Sequence, residues 1–345
     1  MDVMKISTSM YAQGRFRAEV HSGHTYENGK LVRLADPIRQ TSFGKNIITL
    51  SGIAKLLNDN VSIKMQAGDD NTTPAESDTQ LGNLLGSTIT HVSTNTNRNT
   101  TPDGDGNVTW TATYRYTFNP GALGSVPVNV AEAGVRSNDS DNVLVSHGLL
   151  VDDSDNPVTV SVDPTFEYLD LIWEITFFVP ASVTGTSTFS ILGVDTSTDW
   201  EVRPAFFGNT GGSYNFKGWA DAYAGFVPGF SIIWTSLTYD GTDAATQVRS
   251  TNGLGALTSS PANDSSLTNA QRVPTSAIRN AYVTDSKERT MKLVWLPDRA
   301  NITGGIQSVL VNCAFSHWQI SYSPKLSKTS DYQLNLEFKL TLHNK

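Results

Sequence analysis

The chain has very little cysteine. Cys313 is the single cysteine among 345 residues, and a disulfide framework requires an even set of them. The nearby Val311, Ala314 and Phe315 are apolar, whereas a reactive thiolate needs an electropositive setting. We therefore expect Cys313 to be a small buried residue on a strand. This expectation excludes a disulfide-stabilised secreted scaffold and a cysteine nucleophile.

Charged residues are also scarce. They make up 17% of the chain, against about 25% in a typical globular protein. The formal net charge is −8, and basic residues form no run. Because affinity for nucleic acid depends on Lys and Arg that neutralise phosphates, we expect no direct contact with nucleic acid. The polar surface must come from Ser, Thr, Asn, Gln and Gly, which suits extended β proteins and their interfaces.

Long apolar segments are missing as well. No apolar run approaches the ~18 residues that a transmembrane helix needs. Residues 1–7 contain no apolar signal region. These features predict a chain that does not insert into a membrane and that is made and folded in a cytoplasm.

Strand periodicity is abundant. The segment 171–179 alternates over its whole length, with Glu174 and Thr176 on the polar side. A period of two, rich in β-branched and aromatic residues, predicts a half-buried β-strand. The segment 108–118 shows the same pattern. The predicted buried face of 171–179 consists of Leu171, Trp173, Ile175, Phe177 and Val179.

Local signals predict one hairpin and little helix. The pair Asn28-Gly29 lies between the alternating segments 15–20 and 31–34, and Asn-Gly is the strongest short signal for a hairpin. The best helix candidate is 49–57, where a Thr or Ser can cap the first turn and four apolar residues share a face. The segment 77–85 is predicted to form a helical turn.

These patterns predict a mainly β protein with antiparallel, β-sandwich-like domains, few short helices and long loops. The strand signals become sparser after Pro180. We therefore predict a β-rich N-terminal domain over 1–180 and a β-rich C-terminal domain over 181–345. The latter contains a long, strand-poor loop around 241–280, which we interpret as a surface excursion. The chain shows no repeat of fixed period, which argues against a parallel β-helix.

Ser146 and His147 raise the question of a hydrolase. Adjacent residues on a strand point to opposite faces, so they cannot pair as nucleophile and base, and no Gly-x-Ser-x-Gly elbow is present. We expect His147 to lie on a solvent or interface face. The acidic residues that could complete such a site are Asp139, Asp141, Asp152 and Asp153.

Two metal patterns are incomplete. His21 and His24 lack the third and fourth ligands that zinc sites use, so we expect a polar turn there. The segment 103–107 begins like a calcium loop, but Val108 and Tyr114 stand where Gly and Glu are required. We therefore predict a turn at 103–107 and no metal or other cofactor.

Carboxylates are dense between residues 152 and 170. Sugar-cleaving enzymes need two carboxyl groups at a defined separation across a cleft, which sequence spacing cannot establish. Loops before strands collect Asp because of its turn chemistry, and we adopt that interpretation. No catalytic residue is assigned. The acidic residues concerned are Asp152, Asp153, Asp155, Asp163, Glu167 and Asp170.

One aromatic, glycine-rich stretch is a candidate contact surface. Exposed aromatic side chains anchor interfaces and stack on sugars, although they fill cores more often. We predict that this stretch contacts a partner or a receptor. Its residues are Trp200, Tyr214, Phe216, Trp219, Tyr223 and Phe226.

Several segments resemble virion proteins of tailed bacteriophages. The first is the run Lys45 to Thr49 followed by Gly52 and Leu56, which is similar to the "KN-aliphatic-I-T-x-x-G-aliphatic" opening of that group. Further blocks follow in the same order along the chain. They are Gly68 with Thr73-Pro74-Ala75 and Asp78-Thr79-x-Leu81-Gly82; Tyr116-Thr117-Phe118 with Gly121; Glu132 to Val135; and Trp318 to Pro324 with Lys325 and Lys328.

The resemblance covers about half of the chain, over 45–180 and 301–342, and 181–300 matches nothing in it. It implies a structural subunit of a tail, baseplate, collar or fibre, located in the virion and not acting as an enzyme. The implied partners are other virion proteins and further copies of the chain, because symmetric homo-oligomers are the default for repeated assemblies.

Two alternatives remain open. A host-recognition module would bind a surface glycan or protein through 211–230 or the 241–280 loop. A polysaccharide depolymerase would need a carboxylate cleft, and the missing repeats weaken it.

Overall fold

The computed structural model describes residues 3–26, 29–58, 60–88, 91–99, 101–138, 140–191, 193–206, 229–231, 247–250, 267–280, 282–313 and 316–345. The elements up to residue 162 are β1 (Met4–Thr25), β2 (Leu31–Arg33), β3 (Arg39–Gln40), β4 (Gly44–Ile48), α1 (Leu50–Asn58), β5 (Asn60–Gly68), β6 (Leu84–Thr88), β7 (His91–Asn99), β8 (Asn107–Phe118), β9 (Val128–Val130), β10 (Glu132–Ser137), β11 (Leu144–Leu149) and β12 (Val160–Val162). The later elements are β13 (Glu167–Pro180), β14 (Val183–Ile191), β15 (Val194–Phe206), β16 (Gly229–Ser231), β17 (Gln247–Arg249), α2 (Asn269–Arg272), β18 (Ser276–Arg279), β19 (Glu288–Trp295), β20 (Ile306–Cys313), β21 (Ser316–Leu326) and β22 (Leu334–Asn344).

The long strand β1 organises the main sheet, which has 15 strands. On one side β1 pairs antiparallel with β13, and the sheet continues through β8 to β7. On the other side, residues 4–12 of β1 pair in parallel with β22, which leads to β19 and β18. Residues 14–16 pair with β4 instead, which leads to β11, β10 and β5. The main sheet is therefore mixed and branches along β1.

The other sheets are antiparallel. β14, β15, β21, β20 and β17 form a five-stranded sheet in that order, and β9 pairs with β12. The prediction of a mainly β fold with antiparallel sheets and little helix is thus confirmed. The main sheet contains β18, β19 and β22, which follow residue 180, as well as strands that precede it. The division into domains at residue 180 stays a prediction.

The alternation that predicted β13 and β8 is confirmed. The predicted apolar face of β13 is buried, and Glu174 and Thr176 are partly exposed on the opposite face. Trp173 lies opposite Phe16 of β1 and stacks on Tyr114 of β8, with 5.6 Å between the ring centroids. Burial of each large apolar side chain stabilises the fold by about 1.5–3 kcal/mol, which explains why the register is fixed here.

The predicted hairpin and helix are also present. β2 pairs with the end of β1, and Gly29 in the turn adopts a positive φ of 76°. Thr49 caps α1, because its Oγ1 accepts a hydrogen bond from Gly52 N at 2.9 Å. Ile53 and Leu57 are fully buried beneath the helix.

Two predictions concern loops. The segment 241–280 contains β17, α2 and β18 in its described parts; residues 241–246 and 251–266 lie outside them, and the long loop stays a prediction. The prediction for 77–85 is wrong. The predicted helical turn over 77–85 is a tight turn at 76–77 followed by β6. The N–H groups of Gly82 and Asn83 donate to the carboxylate of Glu132 instead of to helical carbonyls.

Cys313 ends β20, as predicted for a strand residue; its side chain lies outside the described residues. No helix in the described part of the chain has the length and apolar character needed to cross a membrane.

Candidate functional site

A buried histidine lies between two carboxylates at the centre of one branch of the main sheet. His147 is on β11 and Glu132 is on the neighbouring β10. The loop 69–83, which joins β5 to β6, folds over them and brings Asp78 to the other side of the ring. The His147 side chain is 4% exposed, and Glu132 is 1% exposed.

Both ring nitrogens of His147 face carboxylate oxygens. Nε2 lies 2.7 Å from Oε2 of Glu132, and Nδ1 lies 2.7 Å from Oδ2 of Asp78. A neutral imidazole has only one N–H to donate, so it would leave one nitrogen lone pair facing a carboxylate. The geometry therefore fits a doubly protonated His147 between two charged carboxylates.

The surroundings of His147 act on its pKa in opposite directions. Burial lowers the pKa, while the hydrogen bonds and charges of Glu132 and Asp78 raise it. The carboxylates prevail, and the pKa of His147 lies above the ordinary value for histidine. Asp70, on the same loop, also interacts with the charge of His147.

Glycines allow the loop to approach this closely. A Cβ on Gly68 would clash with the carboxylate of Glu132 and with Asn83 O. A Cβ on Gly82 would clash with Asp70, and one on Gly134 with Leu81. A larger residue at Gly68 would require the loop to move away from Glu132. At Gly82 it would displace Asp70 within the loop, and at Gly134 it would displace the Leu81 side chain.

The loop also holds the C-terminal strand. Glu76 accepts hydrogen bonds from Lys287 Nζ at 2.7 Å and from Asn344 Nδ2 at 2.6 Å. These two bonds lower the pKa of Glu76. The Asn344 amide also exchanges two hydrogen bonds with the backbone of Ile48, which leads into α1. The His147 cluster, α1 and the end of β22 are thus linked through the loop 69–83.

A cleft of about 560 Å³ opens beside this loop. Its walls come from α1, the turn at 76–79, residues 141–143 and residues 282–285. Asp78 lines the cleft and also contacts His147, so it connects the buried cluster to the surface.

The opposite orientation predicted for Ser146 and His147 is confirmed. Ser146 Oγ bonds with Asn46 and with Ile47 O, away from the histidine ring. The expectation that His147 lies on a solvent or interface face is wrong. A histidine at that position is buried because Glu132 and Asp78 supply the hydrogen bonds that solvent would otherwise provide.

A second buried histidine, His21, lies in a cluster of arginines and carboxylates. Glu19, His21 and Asp170 place potential metal-binding atoms within 4.8 Å of one another. Arginines occupy this space: Arg115 NH1 lies 2.6 Å from Glu19 and 2.5 Å from Asp170, and Arg33 NH2 lies 2.6 Å from Asp170. The guanidinium groups already compensate the carboxylates that a metal would need.

The two ring nitrogens of His21 face different kinds of partner. Its Nδ1 lies 3.1 Å from Leu34 O, which can only accept, and its Nε2 lies 2.8 Å from Arg33 NH2, which can only donate. His24 packs edge-on against Tyr26 instead. The structure therefore does not bring His21 and His24 together. The predicted polar turn at this point is wrong, because β1 continues through both residues to Thr25.

The other acidic residues have structural partners. Asp103 and Asp152 each accept two backbone N–H bonds within their own turns, as predicted from their turn chemistry. Asp163 accepts one bond from the backbone N–H of Thr165 and one from its hydroxyl, and Glu167 pairs with Arg39. Asp170, predicted to be a loop residue, is fully buried on β13 instead, where Arg33, Arg115 and Thr117 bind it.

Of the six predicted contact residues, only Trp200 lies within the described part of the chain. Its ring packs on Gly185, and its Nε1 donates to Ser187 Oγ at 3.0 Å. Ser187 in turn donates to Lys5 O of β1, so Trp200 helps to join the five-stranded sheet to the main sheet. Partner contact stays a prediction for Trp200 and for Tyr214, Phe216, Trp219, Tyr223 and Phe226.

Three of the five segments that resemble virion proteins meet at the His147 cluster and at α1. Gly52 lies where a Cβ would strike Val145 O, Thr49 caps α1, and Gly68, Asp78, Gly82 and Glu132 build the cluster. Lys328, near the C-terminus, donates to the carbonyls of Leu296 and Thr329 and to Asn301 Oδ1. At these positions the motif residues serve close packing and buried hydrogen bonding.

No family model matches the chain, and no curated protein or solved structure matches it. The resemblance to virion proteins therefore depends on the motif residues alone.

The sequence reasoning missed the roles of Glu132 and Asp78. One signal was present, because Glu132 is a lone charged residue between Val130–Ala131 and Ala133. A charge within an apolar strand is almost never buried without a partner. Its partners at 78 and 147 are too distant in sequence to be identified from spacing.

Proposed function

We propose that this protein is a structural subunit of a phage virion, in the tail, baseplate, collar or fibre. It acts by joining further copies of itself and by docking to neighbouring virion proteins. The observation that carries the proposal is the free edge of β7. In the described part of the chain, β7 pairs with β8 along nearly its whole length and has no strand on its other side.

The composition of β7 supports this role. Natural proteins protect exposed edge strands with Lys, Pro, charged residues or bulges, because an unprotected edge pairs with other chains. The nine residues of β7 contain no Pro, Lys, Asp or Glu, and they are rich in Ser, Thr and Asn. Arg98 is the one Arg, and a register shift lies between His91 and Ser93 at the start of the strand. The remaining polar edge, which has few charges, suits ladder formation with a second strand and keeps the chain soluble before assembly.

The motif residues give independent support. Three of the five segments that resemble virion proteins are far apart in sequence and lie close together around α1 and the His147 cluster. Proteins with a common fold share packing positions, whereas proteins with a common activity share a reactive site. The packing role of the motif residues therefore favours a common fold.

The first test is the solution mass of the purified chain, measured by light scattering. We expect a closed oligomer such as a trimer, hexamer or dodecamer. The variant Asn95→Lys/Asn97→Lys adds two charges to β7, opposite the partly exposed Thr113 and Thr111 of β8, and should shift the mass towards the monomer. The variant Asn71→Lys/Thr73→Lys adds the same charge at exposed loop positions and should retain the oligomer.

A monomer at every soluble concentration would contradict self-assembly and favour the host-recognition alternative. Equal masses for the two double variants would contradict the role of β7. The virion location is tested separately, by searching for peptides of this chain in purified particles from the cells that encode it. Their absence from such particles would reject the virion proposal.

A further inference from the structure

Loop 69–83 is held to β10 and β11 by three links. They are the contact of Asp78 with His147, the backbone bonds of Gly82 and Asn83 to Glu132, and the bond of Arg136 to Thr79 O. Glu132 has these two backbone donors in addition to His147. Asp78 has His147 and the N–H of Ala75, which belongs to the same loop. The attachment of the loop to the sheet through Asp78 therefore depends on His147.

We propose that His147 is a proton-operated latch that holds loop 69–83 against the main sheet and releases it when the ring loses a proton. The inference concerns the chain itself and does not depend on the proposed function. The loop that the latch holds forms one wall of the 560 Å³ cleft, because Glu76, Asp78 and Thr79 belong to the loop and also line the cleft.

The geometry determines which link breaks first. Glu132 is 1% exposed and cannot be rehydrated without unfolding the sheet, whereas the Asp78 side chain is 26% exposed. After deprotonation, the remaining proton stays on Nε2, where Glu132 accepts it. The lone pair on Nδ1 then faces the carboxylate of Asp78, and Asp78 can turn towards solvent. The released proton leaves to solvent on this same side.

Among the charged groups around the ring, His147 is the one whose change of charge opens the latch. The carboxylates that face it are Glu132 on β10 and Asp78 and Asp70 on the loop. Arg136, on β10, binds Thr79 O of the loop, and an arginine stays charged throughout the accessible pH range. Across the cleft, Lys55 of α1 pairs with Asp141. The Arg136 link persists when the latch opens, so the opening is local.

The direction of the pH effect follows from the raised pKa of His147. A histidine whose pKa is higher in the folded state stabilises that state fully below its ordinary pKa of about 6.5. This stabilisation is lost as the pH rises through the folded-state value. The latch is therefore closed below the ordinary histidine pKa of about 6.5 and opens as the pH rises through the raised pKa of His147 in the folded state.

The test combines two measurements on the full chain. Histidine-selective NMR follows the titration of each ring, and His147→Gln identifies the His147 signal. Hydrogen exchange of peptides from 69–83, corrected for the intrinsic pH dependence of exchange, reports on the loop. We expect protection of the loop to fall about tenfold or more as His147 deprotonates, which corresponds to about 1.4 kcal/mol. Protection of β8 and β13 should stay constant.

Variants separate a latch from a purely structural contact. Glu132→Gln removes one of the charges that raise the pKa, so loop release should move to lower pH together with the His147 titration. Asp78→Asn keeps the side-chain shape and should leave the loop weakly protected at every pH. His24→Gln changes a histidine that contacts only Tyr26 among the described rings, and it should behave as the parent chain.

Two results would overturn the proposal. One is loop protection that stays equal on both sides of the His147 titration. The other is a Glu132→Gln variant in which the His147 titration moves and the loop release does not. If His147→Gln fails to fold, Asp78→Asn and Glu132→Gln still supply these comparisons.

Discussion

His21 and His147 are both buried in the main sheet, yet their neighbours differ in one respect. His21 hydrogen-bonds with a guanidinium and a carbonyl, and the carboxylates of Glu19 and Asp170 lie farther away, at 3.7 Å from its Nε2. Both ring nitrogens of His147 lie 2.7 Å from carboxylate oxygens. In the first cluster, arginines supply the positive charge, and arginine does not titrate in the accessible pH range. In the second cluster, the histidine itself supplies it. The first cluster is a permanent link between β1, β8 and β13, and the second is a link that pH can release.

The position of each cluster agrees with this difference. The His21 cluster joins three long neighbouring strands, whose separation would disrupt the main sheet. The His147 cluster holds a loop, which can move while β10 and β11 stay paired. A titratable link is tolerable only where its loss leaves the core intact, since local opening needs less free energy than global unfolding.

The largest expected effect comes from breaking the permanent cluster. Asp170 is fully buried and binds Arg33, Arg115 and Thr117. Asp170→Asn leaves two guanidinium groups without that charge, and the loss of one partner of a buried pair costs about 3–5 kcal/mol. Because both arginines are about a quarter exposed, we expect a decrease near the lower limit, about 3 kcal/mol, in the free energy of unfolding measured with urea.

The exposed Asp298 is a matched control for that experiment. Its carboxylate lies 3.9 Å from Arg299 and is 76% exposed, so Asp298→Asn should change stability by less than about 0.5 kcal/mol. Equal effects of the two substitutions would contradict the assignment of Asp170 as the central residue of the His21 cluster. The decrease in the free energy of unfolding caused by Asp170→Asn should also be of similar size at pH 6 and at pH 9, because arginine keeps its charge.

An intermediate effect is expected from overpacking the His147 cluster. Gly68→Ala places a methyl group against the Glu132 carboxylate and Asn83 O, and overpacking of this kind costs about 1–3 kcal/mol. The displaced carboxylate should also lower the pKa of His147, which NMR titration can measure. Gly104→Ala, at a glycine with open space around it, should change neither property. A neutral Gly68→Ala would show that the loop does not lie this close to β10.

The sequence predicted the framework better than the clusters. Periodicity identified β8 and β13 because a half-buried strand repeats every two residues, and Asn28-Gly29 identified a turn because its backbone needs a positive φ. Glu132, His147 and Asp78 meet only after three segments have folded together, so no local pattern contains them. Asp170 was interpreted as a turn residue because Asp is common in loops, whereas its burial depends on arginines from β8 and β2.

The smallest expected effect comes from the outer contact of the loop. Glu76 and Lys287 form a partly exposed pair, with 36% and 24% of their side chains accessible, and exposed pairs contribute about 0.2–1 kcal/mol. Glu76→Gln should therefore lower the free energy of unfolding by about 0.5 kcal/mol, and salt should reduce the difference. Glu288→Gln, in the similarly exposed pair with Lys339, is the matched control for stability. Only Glu76→Gln should also speed the exchange of the side-chain amide protons of Asn344, followed by NMR, because Glu76 accepts a hydrogen bond from Asn344 Nδ2. If both variants speed this exchange equally, loop 69–83 does not hold the end of β22, and the His147 cluster is linked to the sheet alone.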